Sequence, residues 1–467
     1  MTTIASTCSD AILGDVRVQW DRFAAACGLG GFDDGADFCK RQSRVILLLA
    51  ASRSGGSWLA ELCAASARVN SLPGEIDPFL LLALGAPDVA RGQSDALDAS
   101  RATAAVRTRM SHYLRAYAGH QWPAGQALTP PRRFRIAMRT LLQWPELHDR
   151  MDGVFDAVRA AFAAPNGGSR EARMAAYLVR LKTLLPSLNA YFYDIDPQLI
   201  RARFPDERIP GGPPRESCVI EEPPFVCEAP WESSWTCAHD GAAIDRPLLL
   251  KSPSNAYRLD FLRALFPNAE ITALHLIRDP VASVTGLMSG WLHHGFHKHR
   301  LPDGTLAIER YTRPDRPWTA SWWKFDLPPG FGRTTHRPLE EVCAWQWRSA
   351  NEHILHWVAR NRADIHYVQT STARLTADLN GEMARLFAEL ELEPDAGLLR
   401  AVARNRRTML SYGVSDDARI KLRRLATGAT ADARVRDVLD AFADAGGGAA
   451  LEIVATDANG DAKAVYR

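Results

Sequence analysis

A short apolar run leads directly into a small polar turn near the start of the chain. Residues 44–50 (RVILLLA) predict a fully buried strand, because the run is continuous rather than alternating and stops abruptly. The turn SRSGGS follows, and a helix is predicted from about Ser57 to Ala67. This order can present backbone N–H groups and a helix N-terminus to an anion. The segment also fits a tight turn that is capped by serine and binds nothing.

The side chains of this turn favour the anion site. Arg53 supplies a permanent charge with a planar fork that suits phosphate or sulfate oxygens, and two serine hydroxyls add donors. Small residues let the N–H groups of residues 54–57 approach a ligand closely. The Walker pattern GxxxxGK[ST] and the dinucleotide pattern GxGxxG are both absent, which disfavours metal-dependent nucleotide loops and dinucleotide sites.

Length and composition allow a sizeable core but exclude little else. The chain has 467 residues, of which 46% are hydrophobic and 24% charged, and a net charge of +2 gives no reason to expect nucleic acid or an anionic membrane as a partner. The eight cysteines form no CxxC pair, so a reduced, cytoplasmic protein is expected. The N-terminus lacks a secretory pattern, and no apolar run approaches the roughly 20 residues of a membrane span.

The remaining chain predicts an α/β fold with a central parallel sheet flanked by helices. Residues 1–43 indicate a helical lead-in, residues 79–205 several helices, and residues 206–247 a Pro-rich loop layer. We therefore expect one domain, 1–467, with a helical and Pro-rich insertion at 79–245. The later predicted elements are strands at 247–251, 271–277 and 365–370, and helices at 255–266, after 278, from Pro338 and at 380–405.

Two further cations follow predicted strands. Lys251 ends the strand LLLK, and Arg278 follows the strand ITALHLI. Ligands of parallel α/β folds bind at the carboxyl ends of strands, where the turn at 52–57 also opens. Three cations at such ends indicate one shared anion site. The alternative is that Arg278 pairs locally with Asp279 while Lys251 is solvated.

These segments resemble the sulfotransferase superfamily, in a bacterial-type branch. SRSGGSWL is similar to the family's 5′-phosphosulfate loop, [PS]-[KR]-S-G-[TG]-[TS]-W-L, KSPS to its Lys-bearing strand end, and FPNAEITALHLIRDPVASV to the stretch that ends in its 3′-phosphate motif. The resemblance covers mainly residues 44–75 and 247–292. It implies a P-loop NTPase-like sulfotransferase fold with large insertions. It also implies the sulfuryl donor 3′-phosphoadenosine 5′-phosphosulfate (PAPS), with adenosine 3′,5′-bisphosphate as product.

The resemblance assigns residues to the 5′ side of the donor. Arg53 takes the place of the family's Lys or Arg on the transferring sulfate, and Trp58 stacks on the adenine. Lys251 steadies the transferring group. The expected ligands of the 5′-phosphosulfate are Ser54, Gly55, Gly56 and Ser57.

On the 3′ side the resemblance is less complete. It assigns the 3′-phosphate to Arg278, but Gly286 stands where the family usually has serine. Ser283, one helical turn earlier, is the expected substitute. The family's C-terminal Arg-Lys-Gly element is missing, and KLRR at 421–424 is either its replacement or a solvated basic face.

The sulfuryl acceptor requires a base. Pro253 stands where part of the superfamily has a catalytic histidine, whereas other branches use a glutamate after the first helix, a position that Glu75 occupies. Glu75 is therefore the first choice, with an exposed turn carboxylate as the alternative. The second choices are Glu221 and Glu222, whose proximity would raise each other's pKa unless they are ion-paired structure. A histidine of residues 293–299 is a further alternative.

Histidine and tryptophan are concentrated near the expected acceptor side. His293 and His297 are four residues apart, as zinc ligands on one helix can be, but without a clear third ligand we predict no metal. Several of six tryptophans are expected in the core and others on an apolar or sugar-stacking pocket: Trp318, Trp322, Trp323, Trp345, Trp347 and Trp357.

Three functions remain open from the sequence. The favoured one is transfer of a sulfuryl group from PAPS to a hydroxyl of a small molecule, lipid or sugar, with segment 79–245 as a lid on the acceptor side. A nucleotide-dependent kinase is the second, and the missing Walker lysine disfavours it. A catalytically degenerate sulfotransferase-like binding protein is the third, because Pro253 and Gly286 depart from the family pattern.

Overall fold

The computed structural model describes most of the chain. The described residues are 10–29, 38–122, 128–163, 170–193, 195–215, 219–222, 234–237, 245–412, 451–454 and 463–466.

Within these residues, seven strands form one sheet. Its strands in chain order are β1 (Arg44–Leu49), β2 (Asn70–Ser71), β3 (Gly119–Trp122), β4 (Ser234–Cys237), β5 (Leu248–Lys251), β6 (Glu270–Ile277) and β9 (His366–Ser371). They lie side by side in the order β4-β3-β2-β5-β1-β6-β9. All pairs among β2, β5, β1, β6 and β9 are parallel, which confirms the predicted central parallel sheet.

The other edge of the sheet is antiparallel. Strand β3 pairs antiparallel with both β2 and β4. Both β3 and β4 come from the 79–245 segment, which the sequence predicted as helices and loops only. Part of that segment therefore extends the sheet itself.

Strand β1 explains why the sheet is covered on both faces. Val45, Leu47 and Leu49 belong to one buried apolar cluster, and Ile46 and Leu48 to another. Successive side chains of a strand point to opposite faces, so a continuous apolar strand requires a helical layer on each side. The RVILLL run receives this environment.

The helices divide between the two clusters. One cluster includes residues of α3, α13, α14 and α15, and the other is larger and includes α1, α4–α8 and α10–α12. The bounds are α1 (Asp10–Ala26), α2 (Phe38–Arg41), α3 (Gly56–Ala64), α4 (Asp77–Leu84), α5 (Ala104–Tyr117), α6 (Pro130–Gln143), α7 (Met151–Ala163), α8 (Arg170–Leu184), α9 (Pro197–Arg203), α10 (Leu259–Leu265), α11 (Pro280–Leu292), α12 (Leu339–Arg360), α13 (Thr372–Ala377), α14 (Leu379–Glu389) and α15 (Ala396–Tyr412).

Two small hairpins lie outside the main sheet. Strands β7 (His297–Arg300) and β8 (Trp322–Lys324) pair antiparallel, as do β10 (Leu451–Val454) and β11 (Lys463–Tyr466). The first hairpin falls in segments predicted as a helix end and a loop. Helix α11 ends at Leu292 instead, before the histidine-rich residues.

Two expectations from composition concern the membrane and the thiols. Across the parts of the chain that the structure describes, every helix is too short or too polar to cross a bilayer. Cys27, Cys39, Cys63 and Cys343 are free thiols.

A buried histidine links the sheet to helix α12. His275 of β6 is fully buried, and its ring nitrogens contact the Tyr367 hydroxyl at 3.0 Å and Asn351 Oδ1 at 3.1 Å. Burial lowers the pKa of His275 to about 4, although the Asn351 hydrogen bond opposes this shift. The neutral ring is therefore part of the folded structure.

We predict that His275 makes folding sensitive to acid. Between pH 6.5 and about 4 the unfolded chain binds a proton that folded His275 refuses, so the free energy of unfolding falls as the pH drops, by on the order of 3 kcal/mol. Urea unfolding at pH 7 and pH 4.5 should show a smaller loss for His275→Gln than for the unaltered protein. Equal losses would contradict this role.

Candidate anion and acceptor site

The sheet order brings the three predicted cation-bearing strand ends together. Strand β1 lies between β5 and β6, so the turn after β1 is adjacent to Lys251 and to Arg278. Arg278 Nη1 donates to the backbone carbonyl of Arg53 at 2.7 Å. Lys251 Nζ donates to Ser57 Oγ at 2.9 Å, on the first turn of α3. Lys251 and Arg278, which follow their partners in the turn by 194 and 225 residues, thus meet the turn at the carboxyl ends of neighbouring strands.

The turn has the backbone that an anion site requires. Gly55 precedes α3 with a φ of +93°, and no side chain caps the helix there. The first N–H groups of a helix have no partner within it, so those of Gly56, Ser57 and Trp58 are available to a ligand. The N–H of Ser54 is different: it donates to the Ala51 carbonyl at 3.2 Å, contrary to the expectation that this amide faces the ligand.

The electrostatics favour negative charge at this position. Partial burial and the neighbouring Arg278 charge lower the pKa of Arg53. Burial also lowers the pKa of Arg278, although Asp279 opposes this effect. The Arg278 charge thus disfavours the charge of Arg53, and a bound anion would offset this effect.

The position where the family has serine faces the same site. A Cβ added at Gly286 would lie 3.5 Å from the Cβ of Arg53 and 3.6 Å from Arg278 Nη1. Ser283, the expected substitute, is buried, and its hydroxyl lies 3.3 Å from the Ser54 hydroxyl. Ser283 and Ser54 are therefore neighbours, and the role of Ser283 at the 3′-phosphate stays a prediction.

Trp58 and the C-terminal basic residues concern the far side of the donor. The Trp58 side chain is half-buried, and its Nε1 donates to Asn405 Oδ1 of α15 at 3.1 Å. Its role in adenine stacking stays a prediction. The KLRR sequence at 421–424 lies outside the described residues.

Glu75 lies next to the strand-end lysine. Its Oε1 is 2.5 Å from Lys251 Nζ, and its Oε2 is 3.8 Å from Lys298 Nζ. A chain of contacts thus runs from Glu75 through Lys251 to Ser57 at the N-terminus of α3. The sequence indicated Glu75 and Lys251 separately, and the structure brings them into direct contact.

Glu221 has a different neighbourhood from Glu75. Its carboxylate accepts from Arg139 Nε at 3.0 Å, while Arg139 Nη1 donates to the Pro73 carbonyl at 2.7 Å. A Cβ at Gly74 would come within 2.8 Å of both side chains, at 2.7 Å from Arg139 and 2.8 Å from Glu221, so glycine lets this pair pack against the loop of Glu75. Glu221 is ion-paired structure, which is the second of the two readings left open by the sequence.

Glu222 is a buried carboxyl that accepts backbone hydrogen bonds. Its Oε1 accepts from the N–H of His297 at 2.6 Å. Burial raises the pKa of Glu222 to about 7, the Lys324 charge and backbone donors oppose this, and the Glu75 charge adds to it. The shift was expected to come from the adjacent Glu221, so the direction is right but its cause is burial.

A cavity of about 430 Å³ opens between these residues and helix α4. Glu75 and Ser52 connect it to the turn after β1. One wall is apolar and includes Leu80, Leu81, Leu84, Ile220, Phe296 and Phe325. The charged part of the lining, called the charged wall below, includes Glu75, Asp77, Asp95, Glu222, Lys298 and Asp326. The cavity therefore suits a molecule with an apolar body and a polar group near Glu75.

The charged wall is a network that the sequence did not reveal. Arg258 contacts Asp77 Oδ1 and Asp95 Oδ1, each at 3.0 Å, and Lys298 Nζ contacts Asp77 at 2.7 Å. Burial opposes ionisation of both aspartates, but the surrounding cations hold the pKa of Asp77 and of Asp95 below their usual range. These residues come from four distant segments, so no local motif marks them.

Asp326 is a second carboxyl that sequence analysis missed. Its Oδ1 accepts from Ser52 Oγ at 2.5 Å, and its Oδ2 accepts from the Tyr257 hydroxyl at 3.0 Å. Burial raises the pKa of Asp326 to about 6. Asp326 belongs to the loop FDLPPGF, and its partner Ser52 directly precedes Arg53. Only folding brings Asp326 and Ser52 together.

The structure separates the two histidines, and within the part of the chain that it describes it places tryptophans in the core but none on the cavity. His293 follows the end of α11 and His297 begins β7, so the two do not share a helix face. The described residues contain no group of three or more side chains placed to hold a metal ion. None of the six tryptophans is among the described residues that line the cavity, and four of them are almost fully buried: Trp322, Trp323, Trp347 and Trp357.

Fold and site together define a parallel α/β protein with an uncapped helix N-terminus and nearby cations at the carboxyl end of strand β1. A sequence model of the Sulfotransferase family matches residues 46–330, which is more than half of the 467 residues. The chain therefore belongs to the Sulfotransferase family and is a transferase by family.

Two solved structures are similar to this chain at low identity. Sulfotransferase STF1 from Mycobacterium tuberculosis H37Rv is 11% identical over 84% of this chain and 78% of its own, with a TM-score of 0.33. Sulfotransferase STF9 from Mycobacterium avium is 13% identical over 87% of this chain and 77% of its own, with a TM-score of 0.32. At these TM-scores the likeness adds no argument. No curated protein matches the chain.

We predict that the charged wall depends on Arg258. Replacing it in Arg258→Leu leaves two buried carboxylates without their shared cation, and urea unfolding should show a loss of about 3–5 kcal/mol. Arg263→Leu is the matched control, because Arg263 makes an exposed ion pair with Asp364, and its loss should stay below about 1 kcal/mol. Similar losses in both variants would refute the distinction.

Proposed function

We propose that the protein transfers a sulfuryl group from PAPS to a hydroxyl of a small molecule, lipid or sugar. The observation that supports this most is the meeting of the turn after β1 with the end of β6, through the 2.7 Å hydrogen bond from Arg278 to the Arg53 carbonyl. Family membership supports the reaction class. The cytoplasm is the proposed location.

The residues present fit the donor. Its 5′-phosphosulfate would meet the uncapped N–H groups of residues 56–58 and the Arg53 guanidinium. Its 3′-phosphate would meet Arg278, with Ser283 as hydroxyl donor. The lowered pKa of each arginine supports a site that is electrostatically prepared for an anion.

The chain's own residues would perform three tasks in the transfer. PAPS supplies an activated sulfuryl group whose bond to the 5′-phosphate can break. Glu75 would take the proton of the acceptor hydroxyl as the acceptor oxygen bonds to sulfur and the sulfur–phosphate oxygen bond breaks. Lys251, between Glu75 and Ser57, would steady the transferring group. Arg53 and the first amides of α3 would stabilise the charge that develops on the departing bisphosphate.

The cavity supports an amphiphilic acceptor. Its charged wall holds Glu75 next to the turn at 52–57, which we call the donor turn. The apolar wall comes from α4 and Ile220. Both Ile220 and the end of α4 belong to the 79–245 segment. We therefore propose that this segment forms the acceptor-side lid of a single domain that spans 1–467.

We expect micromolar or tighter binding of adenosine 3′,5′-bisphosphate by calorimetry, and no detectable binding by Arg53→Ala. Arg360→Ala removes an exposed arginine at the end of α12 and should bind normally. Absence of binding by the unaltered protein would exclude PAPS as donor. Magnesium-dependent ATP hydrolysis in the same preparation would favour the kinase alternative instead.

We expect Glu75→Gln to reduce turnover at least tenfold while leaving the bisphosphate affinity intact, because the amide cannot accept the acceptor proton. Turnover is measured as bisphosphate formed from PAPS in the presence of host metabolites. Glu222→Gln and Asp326→Asn are the matched carboxyl variants of the same cavity. Full activity of Glu75→Gln would move the base elsewhere. Lack of turnover by the unaltered protein would favour a degenerate binding protein.

A further inference from the structure

Three residues with an unusual backbone contact one another beside the donor turn. Arg53, Phe296 and Phe325 have φ values of +63°, +65° and +61°, in the left-handed region that non-glycine residues seldom adopt. The Arg53 guanidinium carbon lies 5.2 Å above the Phe296 ring centroid, and the Phe296 and Phe325 rings stack at 4.8 Å and 27°. Strain of this kind persists only where the surrounding structure imposes it, and it concentrates at functional sites.

The turn at 293–297, which bears Phe296, is held by hydrogen bonds from its backbone to two side chains. On one side Glu222 Oε1 accepts from the His297 N–H at 2.6 Å. On the other side Lys324 Nζ donates to the backbone carbonyls of His293 and, at 2.7 Å, of Gly295. Both side chains are largely buried, and their contacts leave the turn little freedom to change its backbone.

The second ring is held from the opposite direction. The N–H of Phe325 donates to the Phe296 carbonyl at 3.3 Å, which links the two strained residues directly. A Cβ added at Gly290 of α11 would overlap the Phe325 ring, so the ring rests against the backbone of that helix. Helix α11 also starts beside Arg278. Arg53, Phe296 and Phe325 thus form a column, and contacts with the backbone hold both of its rings in place.

This column separates the two halves of the site. Phe296 and Phe325 line the acceptor cavity, whereas Arg53 belongs to the donor turn. A guanidinium over an aromatic face keeps a preferred orientation, because the ring attracts the cation and its plane can stack.

We propose that Phe296 is a positioning residue: the turn at 293–297 presses its ring against Arg53 and thereby orients the guanidinium for the departing phosphate, while the same ring forms a wall for the acceptor. The proposal rests on the sulfuryl transfer proposed above. It makes the Phe296 ring necessary for turnover rather than for holding the nucleotide, since the Arg53 charge, the α3 amides and Arg278 all remain without the ring and only the orientation of the guanidinium is lost.

Replacing the ring tests this directly. Phe296→Leu keeps an apolar side chain but removes the aromatic face, and it should lower kcat about tenfold while changing the bisphosphate affinity by less than about threefold. Phe296→Tyr keeps the face and should retain turnover within about twofold. Phe266→Leu removes a buried ring outside the cavity, and it should lower the melting temperature without lowering kcat.

A double-mutant cycle then tests whether Phe296 acts through Arg53. An Arg53→Lys background has no planar guanidinium for the Phe296 ring to orient. Adding Phe296→Leu should therefore lower kcat by no more than about twofold further. Multiplicative losses, equal losses for the leucine and tyrosine variants, or full turnover by Phe296→Leu would each overturn the proposal. A separate result would overturn the proposed donor, namely that the unaltered protein does not bind the bisphosphate. The two failures can be told apart, because the comparisons of Phe296 variants use proteins that are active.

Discussion

The hydrogen bond from Arg278 to the Arg53 carbonyl ties the ends of two neighbouring parallel strands together. The bond exists because β1 and β6 are adjacent and parallel, so that both carboxyl ends open at one edge. It brings the Arg278 guanidinium to the backbone of Arg53, and burial lowers the pKa of both side chains. The proposed anion would offset this charge, and the uncapped N-terminus of α3 would supply further donors.

The cavity beside this turn is organised by a second set of charges. Glu75 reaches the turn after β1 through Lys251. Arg258 and Lys298 hold the aspartates of the charged wall. Such a wall is stable only while its cations and carboxylates stay paired. The charged wall and the leucines of α4 give one cavity two kinds of surface. The stacked Phe296 and Phe325 lie where this cavity adjoins the turn after β1.

The parts of this account that could be read from the sequence are those with local signals. The run RVILLL and the two later strands predict the parallel centre of the sheet, and the cation near each strand end predicts that Arg53, Lys251 and Arg278 come together. The antiparallel strands β3 and β4 escaped prediction, since they are short and lie in a segment dominated by helices and proline. Histidine spacing suggested a helix beyond Leu292, but the chain turns into hairpin β7–β8 instead.

The charged wall could not be predicted for a different reason. Asp77, Asp95, Arg258 and Asp326 are far apart in the chain and acquire meaning only through contacts made on folding. The most direct test of the central claim is a crystal structure with adenosine 3′,5′-bisphosphate. The account predicts the 5′-phosphate at Arg53 and the amides of residues 56–58, with the 3′-phosphate at Arg278. A nucleotide bound elsewhere, or with only one phosphate at this edge of the sheet, would contradict it.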